Sequence, residues 1–222
     1  MSMELDAILD NSDELYLTIG NLLELAPLED SDRVEASFVT CELSLTHGSG
    51  LRRLIAVGNA VSATALLRLQ FEALVRGIWL WHAANELQIE KITSPLTTES
   101  EQAAKGLPGL DEMIKKLANT PSVPPMAISQ LKHFQDVQVK ALNSYIHGGI
   151  HPLRRHAEGF PLPLALQVLK SSNGLAVMAA MMMAILTGSP EVCAAVRELQ
   201  IKFKGCQPPL LYPAAQPSSS SG

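Results

Sequence analysis

The sequence predicts an all-α protein, a bundle of four to five long helices with an insertion of short helices near residues 86–124. In several long segments, apolar residues recur every three or four positions, which is the period of an amphipathic helix. No segment alternates apolar and polar residues as a half-buried strand does, and we find neither an internal repeat nor a glycine-rich phosphate loop. The long helices therefore have only one another to pack against.

Composition and charge narrow the class of protein. The 222 residues are 47% hydrophobic, which is enough for one sizeable core. The formal net charge of -5 argues against a broad nucleic-acid-binding face but allows a small basic pocket. The three cysteines are odd in number and lack CxxC spacing, and the acidic N-terminus does not resemble a signal peptide. We therefore expect reduced thiols and a cytoplasmic protein.

Three long helices are expected in the first half of the chain. The first spans Ser12–Leu28, and the second runs from a cap at Asp30 or Ser31 to about Val57. The third, Asn59–Asn85, is apolar almost all the way round. A helix of that kind is normally buried in a larger core or in a membrane.

Two glycines, Gly48 and Gly50, stand inside the second helix, where each costs roughly 1 kcal/mol. Some other feature of the fold must compensate for that cost. Either a neighbouring helix approaches closely at this point, or the helix kinks and presents His47. The sequence leaves both explanations open.

The second half of the chain is expected to alternate helices with loops. Glu86–Thr98 contains Pro95 and is expected to be a connection with at most one short turn. Thr120–Pro125 and Gly149–Pro163 are expected to be loops. We expect one helical domain over residues 1–204 and a disordered Pro- and Ser-rich tail over 205–222. The expected helices are Thr98–Lys105, Leu110–Asn119, Met126–His147, Leu164–Thr187 and a short one from Pro190 to about Phe203.

Arg68, Glu72 and Arg76 form a charged stripe on the apolar third helix, because residues four apart lie on one face. Three charges at a bilayer centre would cost roughly 8 kcal/mol on the insertion scale, more than the apolar residues regain. We therefore reject a membrane span. The stripe is interpreted either as a buried ion-pair triad that fixes helix packing or as part of a functional site.

A second polar cluster lies at the end of the helix Met126–His147. Asn143 and His147 are four residues apart and share a face, and a helix C-terminus favours a cationic imidazole. The order Asn–x–x–x–His–Gly, late in an all-α chain, resembles the nucleotide-binding HEPN superfamily. This resemblance implies a four-helix bundle, often dimeric, with the activity of a metal-independent ribonuclease of toxin–antitoxin or phage-defence systems.

The same resemblance implies roles for individual residues. His147 would shuttle protons during attack by a ribose 2′-hydroxyl, while an Arg stabilises the phosphate charge. Leu142 stands where the superfamily has that Arg, so we hypothesise that Arg68 or Arg76 replaces it. The candidate catalytic residues are His147, Asn143, Arg68, Glu72 and Arg76. The candidate substrate-binding residues are Tyr145, His47, Arg154 and Arg155.

A second resemblance is carried by LLRLQFEALVRGIWL, residues 66–80, together with the upstream His47. This pattern is similar to bacterial proteins of unknown function placed near abortive-infection families. The similarity covers most of residues 30–150. It implies no established activity.

Two functions from different classes remain open. The chain is either a HEPN-like effector that acts on RNA or a nucleotide at a local pocket, or a non-catalytic helical scaffold that dimerises through apolar helices such as Leu164–Leu186. In the second case, Asn143 and His147 brace a structural network made by the charged stripe of the third helix. We expect a homodimer that has no cofactor and no contact with a membrane. We also expect no metal ion, because no metal-binding spacing accompanies His147 and His151.

Overall fold

Helices α2 (Asp32–Ala56) and α3 (Ala60–His82) pack against each other along their lengths at the centre of the protein. The computed structural model describes residues 2–24 and 30–209, and within these ranges every regular element is helical, which confirms the predicted all-α class. The chain also contains a π-helical segment, Gln135–Val139, and a 3-10 turn, Lys204–Cys206. The remaining helices are α1 (Met3–Leu22), α4 (Glu86–Thr93), α5 (Thr98–Ala104), α6 (Leu110–Ala118), α7 (Pro125–Phe134), α8 (Lys140–Ile146), α9 (Ile150–Glu158), α10 (Leu162–Leu186) and α11 (Pro190–Lys202).

Small residues let α2 and α3 approach closely. A Cβ atom at Gly77 would lie 2.6 Å from Sγ of Cys41, and one at Gly48 would lie 2.7 Å from Nε2 of Gln70. The Ser37 hydroxyl also donates a hydrogen bond of 2.8 Å to the Gly77 carbonyl. Helix α2 continues through Gly48, where the close approach of Gln70 leaves no room for a Cβ atom, as the close-packing explanation predicts.

A sealed polar cluster, which we call the Gln70 cluster, ties α2, α3 and α10 together. The Gln70 amide donates 3.0 Å to the Ser172 carbonyl and accepts 2.7 Å from the Ser172 hydroxyl. Ser44 of α2 donates 2.9 Å to the Gln70 carbonyl. All three residues are buried, so their polar groups satisfy one another in place of water.

Helix α10 is the apolar core helix. By length and composition it is the one helix in the described ranges that is apolar enough to cross a membrane, yet 67% of its most apolar window is buried inside the fold. Met182 and Met183 are buried, as core packing predicts, whereas Met178 and Met181 are partly exposed. The burial of α10 is what the core helix of a soluble protein shows.

Helix α1 begins nine residues before the predicted start at Ser12. Ser2 caps it by accepting a hydrogen bond of 3.2 Å from the backbone N–H of Leu5. Ser12 is buried in mid-helix instead, and its hydroxyl donates 2.6 Å to the Ile8 carbonyl. The predicted end of this helix, residues 25–28, lies outside the described residues.

Two helices occupy segments that were predicted to be connections. Helix α4 follows a capping box in which Asn85 and Gln88 each accept a hydrogen bond from the other's backbone N–H. Helix α9 occupies most of the predicted loop Gly149–Pro163. Pro152 stands in its first turn, where a backbone N–H would have no partner within the helix, so the proline is tolerated there.

The beginning of the predicted tail packs onto the fold through two buried residues. Cys206 is buried, and the Gln207 amide donates 2.9 Å to the Leu199 carbonyl. Asn173 of α10 donates 2.7 Å both to the Cys206 carbonyl and to the Ser12 hydroxyl of α1. Cys206 and Gln207 are therefore part of the packed structure, and residues 210–222 of the predicted tail lie outside the described residues.

Candidate functional site

Arg68 is the centre of the candidate site, and it is held by two other predicted residues. It projects from α3 and is only 8% exposed. Its Nε donates a hydrogen bond of 2.9 Å to Oδ1 of Asn143 on α8, and its Nη1 lies 2.7 Å from Oε1 of Glu72 one turn further along α3. The structure therefore brings three of the five candidate catalytic residues together, and we call them the Arg68 cluster.

Arg76, the third charge of the stripe, does not join this cluster. Its side chain is exposed, and within residues 2–24 and 30–209 it forms no ion pair. Helices α3 and α8 run antiparallel, since Arg68 meets Asn143 while Phe71 stacks on the earlier residue Phe134. Arg76 thus lies two turns along α3 from Arg68, on the side away from the end of α8, at an axial distance of about 12 Å.

His147 lies on the other side of the Arg68 cluster. It is the C-cap of α8, and its backbone N–H donates 3.1 Å to the Asn143 carbonyl. Gly148 follows with φ of 64°, a left-handed conformation that ends the helix. The exposed His147 side chain is one turn, about 6 Å along the axis, beyond Asn143. The antiparallel register therefore favours Arg68 over Arg76 as the cation near His147.

Tyr145 and Arg155 form a second group at the corner between α8 and α9. The rings of Tyr145 and His151 stack with their centroids 6.2 Å apart. Burial raises the pKa of Tyr145, and the nearby Arg155 guanidinium partly offsets that rise. Arg154 forms an ion pair with Glu158 on the exposed side of α9. This corner contains three of the four predicted substrate-binding residues.

His47, the fourth of these residues, is not joined to the corner by any hydrogen bond or ion pair in the described part of the chain. It lies half-buried on α2, and burial lowers its pKa. Among residues 2–24 and 30–209, no group of three or more His, Cys, Asp or Glu side chains is arranged to hold a metal ion.

Helix α9 presents its apolar side to solvent. Ile150, Leu153 and Ala157 form a stripe at spacings of three and four, and all three are exposed, the first two at 68% each. Pro152 and Arg155, on the opposite side, are the partly covered residues. A helix oriented in this way leaves most of its apolar stripe uncovered by residues 2–24 and 30–209.

The sequence reasoning missed two neighbouring cavities along α10. One has a volume of about 590 Å³ and the other of about 510 Å³. None of the nine candidate site residues lines either cavity. A signal was present in the sequence, because Gly174, Met178, Met181 and Ile185 follow one another at spacings of four, three and four on one side of α10.

Fold and site together define a helical protein of the all-α class, with a charged cluster at one edge and cavities along its core helix. A family profile matches residues 41–209, so the chain belongs to the family of unknown function DUF6988. Comparisons with curated proteins and with solved structures found no match. The matched range ends at Pro209 and so includes the buried residues Cys206 and Gln207. No finding links the chain to the HEPN superfamily, so that relationship is a proposal.

Proposed function

We propose that this protein is a non-catalytic helical scaffold or regulator of the cytoplasm that associates with a second copy of itself. The burial of Arg68 supports the non-catalytic role. Both of its contacts are internal, to Asn143 and Glu72, and its 8% exposure offers little of the guanidinium to a phosphate. A cation already engaged in this way braces α3 against α8.

Helix α9 offers the surface for self-association. The predicted dimer helix Leu164–Leu186 is the buried core helix α10, so most of it is covered within one chain. The stripe of Ile150, Leu153 and Ala157 is exposed, and Ile146 of α8, 38% exposed, lies just before it. Covering these side chains in a dimer would remove apolar surface from water.

The α9 stripe suits a second copy because it is self-complementary. If two α9 helices cross antiparallel near Leu153, the larger Ile150 of each copy lies opposite the smaller Ala157 of the other. Arg154 and Glu158 flank the same side of the stripe, so the two copies place an arginine and a glutamate along a shared edge. The stripe is small beside a standard interface of about 800 Å² per partner, so we expect a weak, concentration-dependent dimer.

Sedimentation velocity over a range of protein concentrations tests this proposal. The wild type is expected to move from monomer towards dimer as concentration rises, and Leu153→Glu is expected to stay monomeric with an unchanged circular dichroism spectrum. Leu96→Glu is the matched control, because Leu96 is 92% exposed and lies between α4 and α5. A wild type that is monomeric at every concentration, or a Leu153→Glu variant that dimerises normally, would contradict the proposal.

A HEPN-like ribonuclease or nucleotide-binding effector of a toxin–antitoxin or phage-defence system is the second candidate. The hydrogen bond from Arg68 to Asn143 supports it, because it places an arginine one turn from His147 although Leu142 replaces the superfamily's own Arg. In this proposal Arg68 balances phosphate charge and His147 transfers the proton. The partner would be RNA or a nucleotide bound at the corner between α8 and α9.

Induced expression in bacteria, with total RNA run alongside, separates the two candidates. If the protein is a ribonuclease, the wild type stops growth and fragments RNA, and His147→Ala abolishes both effects. His133→Ala, which removes an exposed histidine of α7, is the control and is expected to behave as the wild type. Intact RNA with a well-folded wild type would leave the scaffold as the function.

A further inference from the structure

The two cavities along α10 are adjacent, and we call them together the α10 groove. Both cavities are lined by Gln130 of α7, Met178 of α10 and Gln200 of α11. The groove therefore runs between α7 and α11 with α10 as its floor. Each of the two cavities, taken separately, lies within the range of about 300–1,000 Å³ that holds small molecules.

No acidic residue of the described ranges 2–24 and 30–209 lines the groove, although the chain carries 22 Asp and Glu residues. Its two permanently charged lining residues are both cationic, Lys170 and Arg197. Neither forms an ion pair with any residue in the described ranges 2–24 and 30–209. An otherwise acidic protein thus presents a cavity whose charge is positive, and this charge would attract an anion and repel a cation.

Polar and apolar groups are separated along the floor of the groove. Lys170 is half-buried, and beside it Ser171 accepts a hydrogen bond of 3.0 Å from the Gln138 amide. Further along α10, the floor is apolar and includes Met178, Met181 and Ile185. The distance along the helix from Lys170 to Ile185 is about 22 Å. Flexible methionine side chains adapt to an elongated apolar ligand.

We infer that the α10 groove binds a free single-chain amphiphile with an anionic head, of which an acyl carboxylate is the simplest form. The carboxylate accepts a charge-assisted hydrogen bond from the Lys170 ammonium, and the hydrocarbon chain lies over the methionines towards Ile185. Lys170 is assigned to the head group because it is half-buried, whereas Arg197 is exposed at the rim. A half-buried ammonium has lost part of its water and gains most from an anionic partner.

The groove differs from the α9 stripe in the ligand that it suits. The α9 stripe is a convex row of three side chains, which a second protein surface covers. The α10 groove is concave and closed on three sides by α7, α10 and α11, and a single hydrocarbon chain fills such a space. Binding in the groove therefore does not depend on whether the protein dimerises.

Isothermal titration calorimetry with three probes that share a twelve-carbon chain tests the inference. The probes are dodecanoate and dodecyltrimethylammonium, each below its micelle concentration, and dodecanol below its solubility limit, all added to the full-length protein. Dodecanoate is expected to bind saturably with one site per chain, dodecanol more weakly, and the cationic probe most weakly. Equal affinity for all three probes, or no saturable binding of dodecanoate, would overturn the inference.

Lys170→Met separates the head-group contact from the hydrocarbon contact, because methionine keeps most of the length of the side chain and loses its charge. This variant is expected to bind dodecanoate about tenfold more weakly and dodecanol unchanged. Lys115→Met, at an exposed position on α6 away from the groove, is the matched control and is expected to match the wild type. An equal loss in both variants would assign the effect to net charge and would overturn the role of Lys170.

Discussion

The two polar clusters of helix α3 begin only two residues apart, at Arg68 and Gln70, and they face different sides of the molecule. Residues two apart on a helix point about 200° from each other. The Gln70 cluster is uncharged, and Gln70 itself is 0% exposed. The Arg68 cluster is charged and lies at the edge of the fold, where the Glu72 side chain is 41% exposed and Asn143 is exposed.

This difference indicates that the Gln70 cluster holds the fold together, whereas the Arg68 cluster is accessible for a functional role. A buried polar group without a partner has no water to replace that partner, so the Gln70 cluster must be complete for the fold to be stable. The groups around Arg68 are partly hydrated, so losing one contact costs less. Edge clusters of this kind tolerate change, which is why chemistry or binding is more readily accommodated there.

The largest effect is expected from Gln70→Ala. The variant removes both hydrogen bonds to Ser172 and leaves a cavity between three helices, which together destabilise the protein by about 3 kcal/mol. Urea unfolding followed by circular dichroism measures this loss. Gln102→Ala, on the exposed side of α5, is the control and is expected to change stability by less than about 0.5 kcal/mol. Similar losses for both variants would show that the Gln70 cluster is not what ties α2, α3 and α10 together.

A second loss of stability is expected at high pH. It comes from Tyr16, which lies on the side of α3 that carries Gln70. The Tyr16 hydroxyl is buried near this cluster, and burial raises its pKa from 10.0 to about 12. Below pH 10 the folded and unfolded states both keep the proton, so stability does not depend on this group. Between pH 10 and 12 only the unfolded state ionises, so the free energy of unfolding falls by up to about 2.5 kcal/mol.

Tyr16→Phe is expected to flatten this decline, and urea unfolding at pH 9, 10 and 11 measures it. Burial also raises the pKa of Cys41 to about 12, so its titration contributes to the decline that remains in the variant. Identical slopes for the wild type and Tyr16→Phe would show that the Tyr16 hydroxyl is accessible to water in the folded state.

The Arg68 cluster is expected to give a smaller effect. Asn143→Ala removes the acceptor of the Arg68 Nε–H and destabilises the protein by about 1 kcal/mol. Asn143→Asp keeps an acceptor and adds a negative charge next to the guanidinium, so it is expected to be at least as stable as the wild type near neutral pH. The reverse order of these two variants in urea unfolding would show that the Arg68 contact is not stabilising.

Local signals in the sequence predicted most of the fold. The boundaries of α2 agree to within about one residue because Ser31 caps it and a glycine turn follows it. Helix α9 was missed because Pro152 and the two glycines before it were interpreted as a loop signal. A proline in the first turn of a helix costs little, and Pro125, Pro163 and Pro190 stand in the first turns of their helices as well.

The candidate site was harder to predict, because its main contact joins residues far apart in the chain. Arg68 and Asn143 are 75 residues apart, and their meeting depends on the register of two antiparallel helices. The spacing of Arg68, Glu72 and Arg76 predicts a shared face but does not show how far the neighbouring helix covers it. The α10 groove depends in the same way on the packing of α7 and α11, which no local pattern encodes.

The smallest expected change in stability concerns Arg76, and it is compared with the change expected for Arg68 on the same helix. Arg76→Ala is expected to change the free energy of unfolding by less than about 0.5 kcal/mol, because Arg76 is exposed and forms no ion pair in the described part of the chain. Arg68→Ala removes an arginine from the same helix but leaves Asn143 and Glu72 without their partner, so it is expected to cost about 1–2 kcal/mol. Urea unfolding of the two variants side by side is the measurement. Equal losses would mean that all three charges of the stripe act as one network, and a smaller loss for Arg68→Ala would mean that burying the guanidinium costs more than its two contacts return.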